Sequence, residues 1–308
     1  YTRDAAAPIR ESTLAILPSS SATLYQGADD QLPDQWVGSA TVESLTDQPV
    51  AAVVNEVNAN GSASSYVGIT KRAPQVNAPL LFKNSGGWNT GIQVQNLGTL
   101  PAVVTATYTA SGNARGPWTE QATIQPGGST TLYQPANPDL PDQFVGSAVL
   151  QSDRGQPLAA VVNEVRTDST ASTSYDAFTA GSPTAYLPLL YRGFVGWNSG
   201  VQVQNLAATP ATVRMTVYNQ DGSTLTTLTN FIPAGASRTF YLPSFPTVPP
   251  GFAGSAVVTS GAGEPLATIV NHVKPPSAPA SSAQDPTTGT SGSSIVSGAS
   301  KSENVARS

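Results

Sequence analysis

Apolar and polar side chains alternate one for one through Val213-Arg214-Met215-Thr216-Val217. At that period successive residues face opposite sides of a sheet. Similar runs, separated by turn signals such as Asp221-Gly222 and Pro233-Ala234-Gly235, predict strands at Ala185–Leu190, Gly200–Asn205, Ala211–Tyr218, Leu225–Phe231, Ser237–Tyr241, Gly254–Thr259 and Pro265–Val273. No ten-residue run has helical periodicity with caps. The pattern predicts an all-β chain.

It also recurs at domain length. Leu32-Pro-Asp-Gln-Trp36-Val-Gly-Ser-Ala40, Leu140-Pro-Asp-Gln-Phe144-Val-Gly-Ser-Ala148 and Val248-Pro-Pro-Gly-Phe252-Ala-Gly-Ser-Ala256 set Trp36, Phe144 and Phe252 at a constant step of 108 residues. Asn55, Asn163 and Asn271 keep the same step. A second motif occurs twice, Gly87-Trp-Asn-Thr-Gly-Ile-Gln-Val-Gln-Asn96 and Gly196-Trp-Asn-Ser-Gly-Val-Gln-Val-Gln-Asn205, with Trp88 and Trp197 separated by 109. Repeats this long are whole domains rather than solenoid turns, and seven short antiparallel strands in each describe tandem Ig-like β-sandwiches.

In this register residues 78–166 and 185–274 are complete sandwiches, 58–77 and 167–184 are linkers, and 275–308 is a Ser-, Gly- and Pro-rich tail. Tyr1-Thr2 aligns with Tyr108-Thr109, so residues 1–57 supply only the last four strands or so of a first, incomplete sandwich. Open edges of that kind invite strand addition. One reading fills the gap with a neighbouring subunit, giving a head-to-tail homo-oligomer. Its candidate assembly residues are Tyr1, Thr2, Ile295, Val296 and Val305. The other is that upstream sequence was cleaved or omitted.

The segments Gly91–Gly98, Ala102–Tyr108 and Ile124–Ser129 resemble CARDB-type Ig-like modules of bacterial surface proteins. The stretch from Leu187-Pro-Leu189 to Gly196-Trp-Asn-Ser-Gly200 is similar to repeat units of secreted bacterial proteins. The resemblance implies adhesion, spacing or surface assembly, without catalysis.

Composition narrows the function further. Charged residues are 11% of the chain, with 27 Gly and 26 Pro, as short strands joined by turns require. The net charge of −5, with no basic stretch interleaved with aromatics, argues against nucleic acid. No cysteine is present for disulfides or thiolate metal sites, and no apolar run is long enough to span a membrane. Sparse Lys with abundant Ser and Thr predicts an extracellular or cell-surface location.

Candidate chemistry is thin. His272 stands where the other copies have Glu56 and Glu164, and so reads as a strand-end polar residue rather than a catalytic base. Asp139 and Asp142 near Asn137, and Asp29, Asp30 and Asp34, are oxygen-rich enough for Ca²⁺, but the third copy has Ser244-Phe-Pro-Thr-Val-Pro-Pro250 there. Asn55, Asn163 and Asn271 lie in apolar strands and are expected to bond to loop backbone. The four lysines, Lys71, Lys83, Lys274 and Lys301, keep no fixed place, which disfavours Lys–Asn cross-links. Trp88 and Trp197 either cover a core end or stack on a sugar. Asn60-Gly-Ser62 is a glycosylation sequon. No cofactor is implied. The expected function is a structural subunit of an extracellular filament or surface assembly; the alternative is an adhesin or carbohydrate-binding accessory region.

Overall fold

The computed structural model describes residues 10–59, 61–112 and 116–274, and the backbone of 295–299. Among them are antiparallel strands and single-turn 3-10 segments, with no α-helix. The first repeat contributes a hairpin of β1 (Val53–Val57) and β2 (Ala63–Val67). Ahead of it, residues 10–50 carry a 3-10 turn at Gln26–Ala28 and one bridge at Ser39, but no strand. Leu14, Ile16, Leu24 and Val42 are exposed there.

The second repeat holds β3 (Gln75–Lys83), β4 (Trp88–Asn96), β5 (Ala102–Ala110), β6 (Trp118–Ile124), β7 (Ser129–Tyr133), β8 (Phe144–Ser152), β9 (Leu158–Arg166) and β10 (Ser172–Asp176). They form two four-stranded sheets, β10-β9-β4-β7 and β3-β8-β5-β6. Val104, Ala106 and Tyr108 of one sheet share a buried cluster with Ile92, Val94 and Val162 of the other, a sandwich-like arrangement. The third repeat follows the same order with β11 (Thr184–Phe194), β12 (Trp197–Asn205), β13 (Ala211–Tyr218), β14 (Thr224–Ile232), β15 (Ser237–Tyr241), β16 (Phe252–Ser260), β17 (Leu266–Val273) and β18 (Ile295–Ala299). Here the β11–β12 hairpin pairs at Arg192↔Asn198 and Phe194↔Trp197, joining the two layers into one continuous sheet.

Backbone strain recurs at the same step. Gln35, Gln143 and Gly251 all have φ near +60 to +80° (57, 62 and 79°), at the turn before the Trp36, Phe144 and Phe252 positions. Only glycine adopts that conformation without cost, so two glutamines there mark a turn held by its surroundings.

Each sandwich-like layer pair has eight strands rather than the seven expected. The stretches 58–77 and 167–184 are not simple linkers: β2 and β10 fold back onto β1 and β9. The tail likewise supplies β18, paired with β17. The added strands sit in one register, with Ser65, Ser174 and Ser297 opposite Asn55, Asn163 and Asn271. β2 and β10 are short, Ser-rich and reached by a tight turn, β18 by a much longer connection, and in each case the pairing comes from an open sheet edge.

Candidate functional site at the repeat junctions

The Gly-Trp-Asn motif builds each repeat from its second strand outward. Asn89 Oδ1 accepts the Asn84 amide at 2.7 Å, and Asn198 Oδ1 accepts that of Gly193 at 2.9 Å, closing the hairpin tip that Trp88 or Trp197 begins. Gln93 and Gln202 donate across the strand to Ser129 and Ser237. Asn96 Nδ2 bonds to the carbonyls of Leu100 and Ile124, and Asn205 Nδ2 to those of Thr209 and Ile232, so the last Asn of the motif pins two loops. The Gln before it reaches the junction. Gln95 donates to Gly127 O, which also accepts Ser39 of the first repeat at 3.3 Å. Gln204 donates to Gly235 O, which also accepts Ser147 of the second repeat at 3.2 Å.

The Asn55, Asn163 and Asn271 series lies on this same boundary. Asn163 Nδ2 donates to Glu56 Oε1 at 3.3 Å, and Asn271 Nδ2 to Glu164 Oε2 at 2.8 Å. The expected loop-backbone partner is thus replaced by a carboxyl of the preceding repeat. Asn55 is exposed. The hairpin strands add to the contact: Ser172 and Ser174 hydroxyls on β10 donate to the carbonyls of Ala63 and Ser65 on β2. β18 lies beside β10 as β10 lies beside β2.

The apolar part of the second junction is a shared core. Ala267 and Ile269, on the side of β17 turned away from their own repeat, belong to the buried cluster of the second repeat, and β17 packs against β3. Tyr175 seals the β3 side, its hydroxyl accepting Leu80 N at 3.2 Å and donating to Leu80 O at 2.5 Å. Burial pushes its phenol well above the usual range. Glu164 is fully buried at this boundary, and desolvation raises its carboxyl to about 8, the Asn271 bond offsetting only part of that. Its Oε1 has no hydrogen-bond partner. The folded carboxyl therefore holds its proton well above the usual carboxylate range.

The other sequence candidates fall within single repeats. Trp88 is half-buried against Phe82, at 6.2 Å between centroids, with the Arg166 guanidinium 5.5 Å above the indole. Arg166 is itself held by Asp168. Trp197 is also half-buried. Phe144 and Phe252 are buried and Trp36 half-buried. Phe144 meets Trp118 and Tyr108 edge-on at 5.9 and 6.4 Å. Ile295 and Val296 open β18, opposite Val273 and His272. Tyr1, Thr2, Asn60 and Val305 lie outside the described residues.

His272 Nδ1 is 2.8 Å from Ser199 Oγ, and burial lowers the imidazole pKa. A serine beside a histidine suggests nucleophilic chemistry, but this hydroxyl is fully buried and accepts the Tyr191 amide at 2.7 Å. Thr90 does the same for Phe82 in the second repeat, at 3.0 Å, without any histidine. Ser199 is thus a strand-holding residue. The acids near Asn137 are engaged locally: Asn137 Oδ1 accepts the Asp139 amide, and Asp142 accepts Asn84 Nδ2. Among the described residues no three acids or imidazoles gather to hold a metal.

One equivalence escapes a reading that follows lysines alone. Lys83 Nζ, buried, donates to the carbonyls of Asn137 and Leu140 at 2.7 and 2.8 Å. Arg192 serves the same turn of the third repeat, donating to Phe245 O at 2.7 Å and to Val248 O. Aligning cations rather than lysines reveals the slot.

No protein-family model, curated protein or solved structure matches this chain.

Proposed function

We propose that this chain is a structural element of an extracellular filament or surface assembly, made of Ig-like sandwiches stacked end to end. The observation that carries the reading is the repeated junction: Glu56–Asn163 with Ser39–Gly127 at the first boundary, Glu164–Asn271 with Ser147–Gly235 at the second. A contact that recurs at one step along the chain fixes how each repeat sits on the last, which is what a spacer or filament subunit needs. The resemblance to CARDB-type modules supports the same reading. Head-to-tail growth, with strand complementation of the first repeat, would extend it. Electron microscopy of native material tests it: regular polymers support the proposal, and isolated single chains contradict it.

A second reading, a carbohydrate-binding accessory region, has one observation in its favour. A shallow hollow beside Trp118 is rimmed by Pro141, Asp142 and Gln143, the mix of ring and polar groups that sugars meet. Asp142 and Gln143 already bond to Asn84, however, which leaves mainly a stacking surface. Retention on a polysaccharide column would favour this second reading.

A further inference from the structure

The two halves of the internal junction also occur at the outer repeats, uncovered. Ile269, on the junction face of β17, is 1% exposed, whereas Val53, at the matching place on β1, is 64% exposed. Asn55 beside it is exposed too, where Asn163 and Asn271 each reach a carboxyl. On the other half, Leu80 of β3 is 6% exposed beneath its cover, while the matching Leu189 of β11 is 44% and its neighbour Tyr186 64% exposed. β3 and β11 carry the same irregularity in pairing, between Ala78 and Leu81 and between Leu187 and Leu190, so the two faces present the same backbone.

Tyr175, which covers β3, has no aromatic counterpart on β18. Tyr175 bonds to the Leu80 backbone, and Phe178 pairs with Asn77. On β18 the place opposite Val270, which corresponds to that of Tyr175 opposite Val162, is Gly298. A glycine supplies no aromatic anchor.

The geometry points to an intermolecular junction. The Tyr186–Leu189 face of one copy receives the Val53–Asn55 face of a second copy, in the arrangement that already joins the second repeat to the third. This rests on the end-to-end reading above and names its contact. The occupant follows from continuity: the face that covers β3 is of one kind, and the first repeat presents that kind unoccupied. Such a contact is heterologous, using two different patches, so each added copy leaves one face of each kind free for the next. At the new boundary the Glu164 slot is filled by His272. Its Nδ1 is taken by Ser199, and its Nε2 is left to meet the incoming Asn55 amide.

The test is sedimentation velocity of the full chain over a concentration series, with two surface variants, Val53→Glu and the double variant Tyr186→Glu/Leu189→Glu. All three side chains are exposed, so both variants should keep the wild-type unfolding midpoint, which circular dichroism checks. A carboxylate buried without a partner weakens association by about 100-fold or more. Wild type is expected to form an open-ended series, and each variant alone to stay monomeric. Mixed in equal amounts, the variants retain one intact pair of faces and should stop at a dimer. Variants that associate like wild type would overturn this face assignment while leaving the filament reading standing. A mixture without dimer, or a wild type monomeric to about 100 µM, would overturn it as well. Dimer in the mixture with no polymers in native material would uphold the contact and remove the filament reading instead.

Discussion

The Asn271 amide donates to the buried carboxyl of Glu164 at 2.8 Å, across a repeat boundary and 107 positions along the chain. Asn163 makes the same bond to Glu56 over the same separation. In a boundary that also buries Ala267 and Ile269, one buried polar pair of this kind fixes register, because any slip leaves a desolvated carboxyl without a donor.

Asn271→Ala should therefore destabilise the chain more than the loss of its own side chain suggests. Glu164 Oε1 is already without a partner, and the variant orphans Oε2 too. The expected cost is about 1–3 kcal/mol, measured by chemical denaturation. Asn55→Ala, at an exposed position, should cost within about 0.5 kcal/mol.

Glu164 also predicts a pH dependence. Desolvation by burial raises its carboxyl from 4.5 to about 8, with the Asn271 hydrogen bond offsetting part of the rise. Between those two values the folded chain holds a proton that the unfolded chain has released. Stability is then fully present below about 4.5 and falls as pH rises toward 8. Glu164→Gln keeps an acceptor for Asn271 and removes the titration. Its unfolding midpoint should be flatter than wild type across that window and at least equal to it at the upper end. A wild-type midpoint that rises over the same range would contradict the assignment.

Lys83 should tolerate arginine and not methionine. Arg192 shows that a guanidinium satisfies the same pair of carbonyls in the third repeat. Lys83→Met leaves the Asn137 and Leu140 carbonyls unpaired in a buried site, at about 2–3 kcal/mol. Lys83→Arg should stay within about 1 kcal/mol of wild type by the same denaturation measurement.

Residues 185–273 show why part of this fold was legible in the sequence. Val213, Met215 and Val217 face inward on β13 as their alternation implies, and the turns at Asp221-Gly222 and Pro233-Ala234-Gly235 bound the next strand. The 108-residue step marks equivalent residues from the sequence alone. What it left hidden was their partners. β10, with the sequence Ser-Thr-Ser-Tyr-Asp, has no apolar period; its pairing depends on the open edge of β9. The step marks Glu164 and Asn271 as equivalents of Glu56 and Asn163 but does not pair them, since each partner lies on the neighbouring repeat. The exposure of Val53 and Leu189 is likewise a property of where repeats meet, not of residue type.

The central claim is that adjacent repeats are joined by a shared core and not merely tethered. Differential scanning calorimetry of the full chain with Ile269→Asp tests it most directly, because Ile269 sits in the second repeat's core while belonging to the third repeat's strand. The second and third repeats should melt together in wild type as one cooperative transition, and the variant should split that transition in two. If wild type already melts as two independent transitions, and Ile269→Asp shifts only the third repeat's, the junction does not couple the repeats and the account fails.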